Sequence, residues 1–189
     1  MHRGGVYIGA LSGGVRCPSN RKYKKTPFMH GGTNMKIVIH KNPNGDTRTA
    51  PKGITFEQFQ EANDSHIADV KAVMDEIGTM FCENGEKHDW TKKSEEKMFY
   101  SDFIETMAGG IDFVFGKWYQ HHVNTERHHL ISRCPEDVNL LDVIEMIVDC
   151  VCAGKTRSGE IRGLEITPEI LETAMKNTVK LVDDMTEAK

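Results

Sequence analysis

The chain has 189 residues, 38% of them hydrophobic and 28% charged, with a formal net charge of −4. That length accommodates one domain with its own core, and no apolar run reaches the roughly 18 residues of a membrane-crossing helix. The charge is uneven: residues 1–34 carry Arg3, Arg16, Arg21, Lys22, Lys24 and Lys25 and no acid, which leaves 18 basic against 28 acidic residues in the remainder, a balance that speaks against a nucleic-acid binder working by charge alone.

Residues 1–34 are rich in Gly, Ser and Pro and lack periodicity, so they read as a disordered basic tail or as an extension upstream of a start at Met35. A basic arm for nucleic acid is the functional alternative. "MHRGGVYIGALSGG" is too short and too Gly-rich for a secretory signal. Five cysteines, Cys17, Cys82, Cys134, Cys150 and Cys152, form no CxxC pair and read as reduced thiols of a cytoplasmic protein, in the host cytoplasm if the chain is phage-encoded. Residues 35–189 read as a single, mainly α domain.

"KIVIH" predicts a short strand, and "NPNGD" a turn after it that could close a small hairpin. Thr55 with Gln58 forms a capping box that starts a long helix. Its apolar stripe is Phe59, Ala62, His66, Val70, Val73, Ile77 and Met80, and Gly85 is expected to end it. A second helix is predicted from Ser94, with Met98, Phe99, Phe103, Ile104 and Met107, broken by "AGG". The later part of "IDFVFGKWYQHH" reads as helix and "RCPED" as loop. "VNLLDVIEMIVDCVCA" reads as an apolar helix ending at Gly154. Thr167 as N-cap with Pro168 after it opens the last helix.

Histidine stands out. Five of the 9 histidines fall in "KHDWTKKSEE" and "YQHHVNTERHHL", a density that points to metal or proton chemistry. Taken in order, His66, His88–Asp89, His122, His128–His129 and Asp149 make a set of imidazoles and carboxylates. Such a set suits one or two divalent ions of intermediate hardness, Mn, Fe, Co, Ni or Zn, with a bridging carboxylate able to hold two ions together. Each member also has a plainer reading. His66 sits where a core histidine would. Asp149 could join Asp142 and Glu145 in a solvated acidic stripe. "HHVNTERHH" could be a surface loop, and His121 cannot share a site with His122 on one helix.

The order His … His-Asp … His … His … Asp over residues 55–153 resembles the HD-domain superfamily of metal-dependent phosphohydrolases. The resemblance implies an all-helical bundle with His66 as first ligand, His88–Asp89 as the paired ligands and Asp149 as the closing one. "HDWTK" fits the form His-Asp-x-x-Lys of one branch, which implies that Lys92 faces a phosphate. A late histidine doublet ligates a two-metal centre in the cyclic-dinucleotide branch, which implies His128–His129 as ligands with His122 between. The sequence departs from that branch: His122 and His128 are only six apart and the Gly-Tyr-Pro signature is absent. From Met35 onward the chain also resembles a family of T4-like phage proteins with an "HDW(T/S)K" and "H…HH" layout, which implies a phage setting and nothing about the reaction.

The expected function is hydrolysis of a phosphate ester, a nucleotide or a relative of one, by a metal-activated water. Asp89 and Lys92 would carry the chemistry, and Arg127, Lys155 and Arg157 would assist Lys92 on phosphate. Two alternatives are an HD-type di-iron oxygenase and a non-catalytic, metal-stabilised phage accessory protein that binds a partner. The core domain is not expected to bind nucleic acid or membrane; an oligomer is compatible with the sequence.

Overall fold

The computed structural model describes residues 36–44, 49–161 and 163–189; the expectations for the tail at 1–34 lie outside these. The chain is mainly helical. In order it forms β1 (Ile37–Ile39), α1 (Phe56–Lys87), α2 (Trp90–Ser94), α3 (Glu96–Ala108), a 3-10 turn (Phe113–Phe115), α4 (Lys117–Thr125), α5 (Leu140–Arg157), α6 (Pro168–Met185) and β2 (Thr186–Ala188).

The capping box at the start of α1 forms as the sequence reads. Thr55 Oγ1 accepts from the Gln58 N–H at 3.3 Å, and Gln58 Oε1 accepts from the Thr55 N–H at 3.0 Å. Gly85 does not end the helix, which runs on to Lys87, because an internal glycine costs only about 1 kcal/mol relative to alanine. The stop comes at His88–Asp89. His88 leaves helical geometry at φ −50°, ψ 131°, and Asp89 takes a left-handed conformation at φ 56°, ψ 33°. Aspartate is among the few residues that enter this region readily.

α1 also departs from the expected stripe. His66 is exposed and Val70 is 48% exposed, whereas Asp69, one step along, is buried. A period of 3.6 continues from Ala62 through either pair. The choice falls on Asp69 because its carboxylate accepts from the His40 backbone N–H and pairs with His40 Nδ1, both at 2.8 Å. This ties the end of β1 to α1.

β1 does not close a hairpin. It pairs in parallel with β2 at the other end of the domain, Ile37 opposite Thr186 and Ile39 opposite Ala188. The turn begins at Asn42, whose side chain accepts from the Asn44 N–H at 2.8 Å; Gly45 and Asp46 lie outside the described residues.

Two packed clusters set the site. Leu130, Val138, Val143, Met146 and Ala174 form the buried core between α5, α6 and the α4–α5 loop. α5 is started by a second capping box, Asn139 with Asp142, and α6 by Thr167 with Pro168 at its first turn. Around α4 an aromatic cluster stacks Phe99 on Trp118 at 4.0 Å, with Phe113 against both. Asp102 caps α4 by accepting from Trp118 N at 2.9 Å and Lys117 N at 3.2 Å. Gly116 permits this approach: a Cβ there would collide with the Asp102 carboxylate.

Of the described cysteines, Cys134 and Cys152 are free thiols. Cys82 is disulfide-bonded, which corrects the expectation of five reduced thiols; the spacing of cysteines along a chain does not determine which come together in space. Among the described residues no helix is long and apolar enough to cross a membrane.

Candidate metal centre

Because α1 stops and α2 starts within two residues, His88 and Asp89 project from a corner. Asp89 stands at the middle of what gathers there. Its Oδ1 lies 3.3 Å from His122 Nε2 and 3.8 Å from His128 Nε2. Its Oδ2 lies 3.4 Å from His88 Nε2 and contacts Lys92 Nζ. His122 comes from α4, while His128 and His129 sit in the loop after it. His129 Nε2 is 3.0 Å from His122 Nε2, and Asp149 Oδ1 on α5 is 3.6 Å from His88 Nε2. The side chains of His122 and His128 are 2% exposed.

Two groups of potential ligand atoms each fit within 4.8 Å: His88, Asp89 and His128, and Asp89, His122 and His129. Asp89 belongs to both. Asp89 Oδ1 and both ring nitrogens of His128 are buried without a hydrogen-bond partner, an expensive arrangement for polar atoms. The donor set and its orphaned atoms fit transition-metal ions.

The surrounding hydrogen bonds explain why these rings present Nε2. A carboxylate only accepts. Glu126 Oε1, buried, therefore takes the Thr91 N–H at 2.9 Å and the Thr91 hydroxyl proton at 2.6 Å. With its one proton committed, Thr91 Oγ1 must accept from His122 Nδ1–H at 2.7 Å. The Nε2 of His122 is then an unprotonated acceptor that faces Asp89 at 3.3 Å and His129 Nε2 at 3.0 Å. Trp118 holds the ring flat by stacking on it at 5.0 Å and 12°, and the indole N–H donates to Glu95 at 3.0 Å.

The charges follow the same geometry. The Asp149 and Glu145 carboxylates push His88 up to about 10, so without an ion it is protonated. The His88 ring beside Asp149 holds that carboxyl at about 2. Burial raises Glu145, but His128 and His88 outweigh it and leave it at about 2. Burial, with His128 and His122 nearby, pulls His129 down to about 4. Burial also lowers His122. The centre thus sets two neutral imidazoles, His122 and His129, beside the ionised carboxylates of Glu145 and Asp149.

The structure brings together His88, Asp89, His122, His128, His129 and Asp149. It does not bring His66, which is exposed on α1, where only the period suggested an inward position. Lys92 reaches the centre through Asp89. Arg127 does not offer its guanidinium to a ligand: Nε and Nη2 donate to the two oxygens of buried Asp142 at 2.8 and 2.9 Å, and Nη1 to Asp137 at 3.0 Å. Its pKa is raised, chiefly by the Asp142 bond. Lys155 and Arg157 are exposed on the last turn of α5, about 9 and 12 Å along the axis from Asp149, so that neither belongs to the centre. His121 is exposed and pairs with Glu95 at 3.1 Å.

Sequence reasoning missed Thr91, Glu126 and Glu145. The signal was there for Glu145, four residues before Asp149 on one helix face. The acidic stripe of Asp142, Glu145 and Asp149 is not solvated; it faces Arg127 and the histidines.

Fold and site together define a mainly helical protein with a histidine–carboxylate centre. The family "Family of unknown function (DUF5662)" matches residues 55–188, and the chain belongs to it. No curated protein and no solved structure matches the chain.

Proposed function

We propose that this chain is a metal-dependent phosphohydrolase acting on a nucleotide or a related phosphate ester. The observation that carries the reading is the Asp89 carboxylate, which is shared by two three-residue ligand groups and has a buried oxygen that no protein donor satisfies. His88, Asp89 and His128 would hold one divalent ion; Asp89, His122 and His129 would hold a second, with Asp149 beside His88. Ions bound there supply an acidified water and polarise a phosphoryl oxygen.

The chain's own residues do the rest. Thr91 and Glu126 keep the His122 lone pair toward Asp89. Lys92, with its side chain 38% exposed, stands between solvent and centre, where its ammonium meets an incoming phosphate. Burial of His122 and His128 keeps water away from the far side and strengthens each charge interaction inside.

The test uses untagged protein, since a His tag would bind metal itself. Elemental analysis should find about two transition-metal ions per chain, and a screen of nucleotides and phosphodiesters should release product that Asp89→Asn abolishes. Less than about a tenth of an equivalent, with no uptake on reconstitution, would remove the basis of the reading. Dioxygen consumption with an iron-dependent spectrum, and no hydrolysis, would replace it with an oxygenase.

A further inference from the structure

Glu145 is not among the ligand groups, yet one of its oxygens touches two of their members. Oε1 lies 3.0 Å from His88 Nδ1, in a hydrogen bond, and 3.2 Å from His128 Nδ1, off the line of one. The two rings stand 4.5 Å apart, tilted by 42°. Their other nitrogens point to Asp89, at 3.4 Å from His88 and 3.8 Å from His128. One carboxylate on α5 therefore lies behind both imidazoles of one group, while the shared Asp89 lies in front of them.

Resting on the metal-centre reading, we propose that Glu145 is a positioning residue: it accepts from His88 Nδ1–H and, as a negative charge 3.2 Å from His128 Nδ1, favours the proton on that nitrogen too, and so commits both rings to bind a divalent ion through Nε2. The chemistry is that of a ring nitrogen's partner fixing its tautomer and orientation. Since an ionised carboxylate cannot donate, neither ring can turn its Nδ1 lone pair toward it. The arrangement also defines the helix register. Glu145 and Asp149 are one turn apart, so a single face of α5 supplies one carboxylate behind His88 and one beside its Nε2.

A consequence is that the two ion groups differ. His122 takes its orientation from Thr91 and Glu126, with Glu145 playing no part. Loss of Glu145 weakens the His88–Asp89–His128 group and leaves the Asp89–His122–His129 group in place.

The experiment titrates metal-free Glu145→Gln, Glu145→Leu and the parent chain with Zn²⁺ against a chromophoric chelator. It also records imidazole ¹H–¹⁵N correlations of the zinc-loaded proteins. In the parent, His88 and His128 should both show protonated Nδ1 and ligated Nε2. Glu145→Leu should disturb that pattern at both rings and leave His122 unchanged. It should weaken one of two zinc equivalents by about 10–100-fold, the usual effect of removing such a partner. Glu145→Gln keeps the shape and one oxygen but loses the charge; it should still weaken one equivalent, by less than Glu145→Leu, whereas a packing role alone would leave this isosteric variant like the parent. If Glu145→Leu does not fold, Glu145→Gln decides alone: weakening of one equivalent supports the proposal and unchanged affinity for both overturns it. Unchanged zinc binding and ring patterns in a folded Glu145→Leu overturn it as well. Asp89→Asn separates the two claims: if it loses zinc while Glu145→Leu keeps it, only the Glu145 role fails; if it keeps both equivalents, the metal centre fails.

Discussion

Arg127→Met should destabilise the fold without first affecting ligand binding. Asp142 is 1% exposed. Three donors satisfy its oxygens: Arg127 Nε at 2.8 Å, Arg127 Nη2 at 2.9 Å and the Asn139 N–H at 2.9 Å. Methionine keeps most of the aliphatic length and removes the first two. A hydrogen bond to a charged group contributes about 1.5–3 kcal/mol, and breaking a buried pair costs about 3–5 kcal/mol. The Arg127 side chain is 44% exposed, so water enters where the guanidinium was and reduces the loss. The expected cost is about 3 kcal/mol, the lower end of that range. For a domain of this size that is a fall in Tm of about 6–12 °C. Thermal unfolding followed by circular dichroism reads it directly. A double variant, Arg127→Met with Asp142→Leu, should recover part of the loss, since no unpaired buried charge remains. It should not recover all of it, because Asp142 also caps α5 through the Asn139 N–H. If Arg127→Met melts within a degree of the parent and instead weakens substrate binding, the clamp is not structural and the phosphate role expected from the sequence is restored.

Metal uptake should strengthen as pH rises, by up to tenfold per unit below the His88 value of about 10, since one proton must leave that ring for each ion bound there; calorimetry in buffers of different ionisation enthalpy measures the released proton. Lys92→Met should retain metal while hydrolysis falls by about 10²–10³, if Lys92 acts on transition-state charge, and metal analysis beside turnover separates the two. His66→Ala should change neither metal content nor activity, as elemental analysis will show. Asp69→Asn should lower stability by about 1 kcal/mol. The His40 hydrogen bond depresses the Asp69 pKa, so its contribution is complete above the ordinary carboxyl range and is lost as pH falls through the folded value; the Tm difference between variant and parent should therefore shrink below about pH 4.

Local chemistry was legible because it acts over three or four residues. The capping box at Thr55, the Pro168 start of α6 and the glycine break after α3 rest on groups adjacent in sequence, and each formed. The histidine windows were legible for a similar reason: residue type and density alone pointed to metal or proton chemistry, with a surface loop as the plainer alternative. Three things needed the tertiary structure. The partner of β1 is β2, about 150 residues away in a register that no local pattern encodes. The inward face of α1 passes through Asp69 and not His66, because a period of 3.6 admits both and only the end of β1 breaks the tie. The acidic stripe of α5 turns inward, because Arg127 and the histidine pair supply the positive and donating groups that make burial of carboxylates affordable. A sequence names the donors and acceptors a chain possesses; which of them meet is set by packing, since each buried carboxylate must find its partner among residues brought close only when the helices assemble.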